Sequence, residues 1–86
     1  MPEVSRFYGV AIALFYNDHQ PPHFHARYGE FEAVFSIESL AILEGSLPRR
    51  ATALVLEWAS EHRAELLAGW KQARAKLPLS PIASLI

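Results

Sequence analysis

Eighty-six residues (9.7 kDa) suffice for one domain with one core, and 51% hydrophobic against 20% charged residues excludes a disordered chain. The absence of cysteine excludes disulfide frameworks, thiolate zinc sites and cysteine nucleophiles, and is compatible with a reducing compartment. The net charge of −1 conceals a division: residues 1–46 hold two cations and six carboxylates, residues 47–86 six cations and three carboxylates, so the halves carry −4 and +3. That imbalance is too mild for a strongly basic nucleic-acid binder, yet it favours head-to-tail contacts or an oppositely charged partner.

The opening MPEVSRFYG lacks a basic stretch followed by an apolar run, and no apolar stretch approaches the ~18 residues of a membrane span. Neither a signal peptide nor a membrane segment is expected, and the expected location is the cytoplasm. Val10 to Asn17 is apolar on both parities and predicts a central strand covered on both sides. The loop NDHQPP follows, its prolines unable to donate to a ladder. His23 to Tyr28 and Phe31 to Ile37 predict a hairpin, because Gly29-Glu30 is a two-residue connection with glycine first, the type II′ pattern. That turn sets Arg27 opposite Glu32, His25 opposite Val34 and Phe24 opposite Phe35. One face then carries Phe24, Tyr28, Phe31 and Phe35, and the other His23, His25 and Arg27.

A fourth short strand, Leu40 to Leu43, is expected after a Glu38-Ser39 turn and before Gly45. From Pro48, in the first turn behind a cap at Ser46 or Leu47, the apolar stripe Ala51, Leu54, Val55, Trp58, His62, Leu66, Trp70, Ala73, Leu77 keeps to helical steps. A helix reaching Ala75 would be ~40 Å long, longer than so small a domain is wide, so a bend or break is expected near Ser60 to Arg63. The uncharged tail LPLSPIASLI cannot be helical and is expected to lie on apolar surface, its own or a partner's. The fold class is α+β: a small, mainly antiparallel four-stranded meander whose Phe face packs on Trp58, Leu54 and Leu66 of a long C-terminal helical segment. Residues 1–77 form the domain, and 78–86 the extended tail.

Three of four histidines fall within seven residues, His19 in the loop and His23 and His25 two apart on a strand. Residues at i and i+2 share a strand face about 6.5–7 Å apart, a spacing at which two imidazoles can chelate a divalent metal, with His19 or Asp18 closing the site. The same group could instead hold a phosphodiester, with a histidine as general base and Arg27 stabilising the anion. The plainer alternative is that His23 and His25 hydrogen-bond the proline loop and the neighbouring strand. His62, between Trp58 and Leu66 on the apolar stripe, reads as an imidazole at the core's edge. Arg49 and Arg50 occupy a helix first turn, where the dipole disfavours cations and free amides attract anions. They make either a phosphate or carboxylate site or an ion pair with Glu38 or Glu44.

The run NDHQPPHFHARYGEFEA, followed by LEGSLPRRA and LVLEWASEHRAELLAGW, closely resembles the bacterial domain of unknown function family 4160, over about residues 2–77. The family motif falls on Asn17, Asp18, His19, Pro21, Pro22, His23, Phe24, His25, Tyr28 and Gly29. The resemblance implies a small prokaryotic protein, encoded beside another small domain and suspected of acting in toxin–antitoxin-like or transcription-regulatory pairs. The expected function is therefore a non-enzymatic binding or regulatory module with a small partner protein and no required cofactor; nucleic acid or a second copy are further candidate partners, and a membrane is not. The alternative is a metal-binding or RNase-like site on His19, His23 and His25.

Overall fold

The computed structural model describes residues 3–16 and 20–85. A strand not expected from the sequence, β1 (Glu3–Phe7), forms a hairpin with β2 (Val10–Ala13). Their connection is Tyr8-Gly9, with φ of +47° and +82°, the left-handed pair that suits a type I′ turn. β3 (His23–Tyr28) pairs with β2, β4 (Phe31–Ser36) with β3, and β5 (Ile42–Ser46) with β4, every pair antiparallel. The sheet thus has five strands rather than four, in the order β1-β2-β3-β4-β5. The β3–β4 register is the expected one, from Tyr28↔Phe31 to His23↔Ser36.

β2 stops at Ala13 instead of Asn17. Continued, the β2–β3 register would set Pro22 opposite Tyr16, where no amide hydrogen is available, and Pro22 O instead accepts from Ile37 N at 3.0 Å, so the ladder cannot run the expected length. β5 starts two residues later than expected because the turn extends to Leu40, at φ +62°, closed by Leu40 N to Ser36 O and by Ser36 N to Ala41 O, both 2.9 Å. It also runs through Gly45 rather than ending before it. Gly45 sits at φ +73° beside a register shift, where a Cβ would lie 2.2 Å from Glu32 O, so only glycine lets the strand pass.

The helical segment is two helices, α1 (Arg49–Glu61) and α2 (Arg63–Arg74), parted at His62 within the expected window. Uninterrupted, it would be ~39 Å long at 1.5 Å per residue, beyond the molecule's longest extent of 33 Å. Pro48 is itself the N-cap of α1 rather than a first-turn residue. α2 ends in a Schellman motif, Lys76 N to Ala73 O and Leu77 N to Gln72 O, with Lys76 at φ +61° in the position glycine usually takes. That reversal leaves Leu77 exposed and off the stripe.

Both helices lie on one sheet face. Trp58 is fully buried, its ring 5.3 Å from Phe7 and edge-on to Phe24 at 6.1 Å, while Phe24 and Phe35 stack at 5.2 Å. Leu66, Trp70, Val55, Ile12 and Leu14 complete the core. Tyr28 and Phe31, expected under the helices, are 38% and 44% exposed, because they flank the hairpin turn where the helix layer leaves a groove instead of a contact. The tail docks on its own chain: Ile82 is buried and its N donates to Val4 O at 2.8 Å, while Trp58 Nε1 donates to Ala83 O at 2.8 Å.

Candidate functional site

Two places gather side chains with chemistry, one on each face of the sheet. On the face away from the helices, the registers set Glu44, Val34, His25 and Ala13 in one row and Ser46, Glu32, Arg27 and Ala11 in the next. His23 and His25 share this face as expected, with ring centroids 5.4 Å apart. His23 is buried, and its Nδ1 lies 2.6 Å from Pro21 O. A carbonyl only accepts, so Nδ1 carries the hydrogen, and in a neutral ring Nε2 is then the acceptor. The His25 ring meets Phe15 edge-on at 4.3 Å, and its Nδ1 lies 3.5 Å from Glu32 Oε2. Arg27 Nη2 lies 3.5 Å from the other Glu32 oxygen, the cross-strand pair the hairpin register demands. Glu32 is thus shared between an imidazole and a guanidinium. A shallow groove of about 290 Å³ opens beside them, lined by His25, Glu32, Val34, Glu44 and Gly45.

Asp18 and His19, the loop candidates for a third ligand, lie outside the described residues. Among the described residues no three histidines or carboxylates come together to hold a metal ion. His62 stands at the core's edge, its ring 5.3 Å from Trp58 and its Nδ1 2.5 Å from Glu65 Oε1, as an N-terminal carboxylate of α2 allows.

The second place lies on the helix side. Arg49 and Arg50 open α1 as expected, both exposed, and neither pairs with Glu38 or Glu44 among the described residues. Arg50 instead lines a groove of about 420 Å³ with Tyr8, Tyr28, Leu54, Glu57 and Leu85. Its walls come from the β1–β2 turn, the tip of β3, α1 and the tail. Two phenol rings, aliphatic side chains and one charge of each sign suit an amphipathic group, such as an aromatic or long side chain of another protein. Sequence reading missed Tyr8, Leu85 and Gly45 as site residues and assigned Tyr28 and Leu54 to the core. The one available signal was Tyr-Gly between two short apolar alternations, which marks a hairpin and hence an exposed Tyr8.

The fold and its two grooves define a small α+β protein, an antiparallel meander covered on one face by two helices. The family model described as Domain of unknown function (DUF4160) matches residues 9–71, and the chain belongs to that family. Comparison with curated proteins and with solved structures finds no match. Among the described residues no helix is long and apolar enough to cross a membrane.

Proposed function

We propose that this protein is a binding module that acts with a small partner protein, in a pair of the toxin–antitoxin-like or transcription-regulatory kind. The observation that carries the reading is the groove between α1 and the hairpin tips, where Tyr8 and Tyr28 stay in solvent although they adjoin the core. Exposed aromatic rings beside an arginine are the composition of interface anchors, and burying them against a partner removes apolar area from water at about 25 cal/mol per Å². The test uses the product of the neighbouring gene, mixed with this protein and followed by light scattering and calorimetry. A stoichiometric complex is expected, weakened about tenfold or more by Tyr28→Ser or by Tyr8→Asn, the latter chosen because asparagine tolerates the left-handed backbone there. A complex indifferent to both substitutions rejects the groove as its seat.

A second reading, a metal or phosphodiester site on His19, His23 and His25, is favoured by the hydrogen bond that orients His23 and by the proximity of the His25 ring. Elemental analysis of protein prepared without a histidine tag tests it. Stoichiometric zinc, nickel or copper that is lost in His23→Ala and His25→Ala proteins supports the metal site.

A further inference from the structure

The two edges of the sheet are treated differently by the chain. At β1, the tail lies alongside and Ile82 N occupies Val4 O. At β5, all five residues are exposed, no strand lies beyond, and no backbone hydrogen bond outside the pairing with β4 involves residues 42–46 among the described residues. An edge of this kind displays a row of unpaired amides and carbonyls that templates another strand. Natural edges are blunted with lysine, proline or a bulge; this one has the register shift beside Gly45 but neither lysine nor proline, and it carries Ile42 and Leu43, 41% and 45% exposed, with Glu44 as its charge. Glu44 pairs with no cation among the described residues. It forms one wall of the groove that also holds Glu32 and His25, and the chain's first half carries the negative excess.

We propose that the outer edge of β5 accepts an extended segment of the partner protein as a sixth strand, alternating basic and apolar residues. A lysine or arginine of that segment lies across Glu44 into the groove beside Glu32, and an apolar residue on the opposite face covers Ile42. Main-chain bonds hold the segment and the alternate side chains select it. A second copy pairing β5 with β5 about Glu44 would set like charges opposite each other, which disfavours self-association there. The proposal rests on the reading of the protein as a module for a partner protein, but it uses a different surface from the tyrosine groove.

The probe is a short fluorescent peptide alternating valine and lysine, followed by anisotropy and by amide exchange on the full chain. Saturable binding is expected, with slowed exchange at residues 42–46. Binding should weaken about tenfold or more in Glu44→Lys, for a peptide with glutamate in place of lysine, and for one N-methylated at alternate amides. Binding that survives N-methylation or Glu44→Lys overturns the proposal, as does absence of saturation. So does a dimer of the protein alone that Glu44→Lys dissolves, because it would place a second copy at the edge. If the neighbouring-gene product binds through the tyrosines while the peptide fails, the edge proposal falls and the binding reading stands. If the peptide binds as expected and that product does not, the edge stands and the groove reading falls.

Discussion

Trp58 stands where sheet, helix and tail meet, its ring against Phe7, Phe24 and His62 and its indole nitrogen on Ala83 O. Trp58→Ala opens a large cavity in a fully buried site, so a loss of ~3–5 kcal/mol is expected in urea denaturation. Trp58→Phe keeps most of the ring but strands a tail carbonyl, for an expected loss of about 1–2 kcal/mol. Lys76 is a different case, a non-glycine residue at φ +61° closing α2. Lys76→Gly relieves that conformation on an exposed turn and should raise stability by about 0.5–1 kcal/mol, read as a higher melting temperature. Trp58, Phe24 and Phe35 were legible in the sequence because helix and strand periods each place them on an apolar stripe. Tyr8, Leu40 and Lys76 were not: each holds a left-handed backbone that glycine or asparagine normally announces, and the surrounding structure imposes it on an ordinary side chain.

At the level of elements, the β3–β4 hairpin was legible down to its register because two-residue turns with glycine first leave few alternatives. The helix break at His62 was legible from length alone. β1 was missed although Tyr8-Gly9 offered a turn signal, and the bounds of β5 were misplaced by reading Gly45 as an end when it is a close approach of two backbones. The tail was expected on apolar surface because it has no charge to hold it in water, and it lies on β1 and Trp58. Removing residues 78–86 takes Ile82, Leu79 and Leu85 off the core and deletes both tail hydrogen bonds, partly offset by the freedom the tail regains. A loss of about 2–4 kcal/mol is expected in chemical denaturation. If the truncated protein unfolds at the same denaturant concentration as the parent, the tail contributes nothing to stability.

For the whole molecule, the candidate site was legible only in part. The histidine face follows from alternation along one strand, and the structure bears out the shared face of His23 and His25. The tyrosine groove brings together residues as far apart as Tyr8 and Leu85, and no local pattern encodes that meeting. The hydrogen bond between Ile82 and Val4 makes the same point about connectivity: the tail returns to lie along the first strand. Where a chain begins is then a matter of wiring more than of architecture. Joining residue 3 to residue 85 through a flexible linker long enough to run back along β1, and opening the chain between Gly29 and Glu30, would keep the same core residues while moving the ends to the exposed hairpin tip. Such a permutant should keep the parent's circular dichroism spectrum. It should fold more slowly, since cutting at 29–30 turns the six-pair β3–β4 ladder from the most local pairing in the sequence into the most distant, and the one tail–β1 bond made local does not offset that.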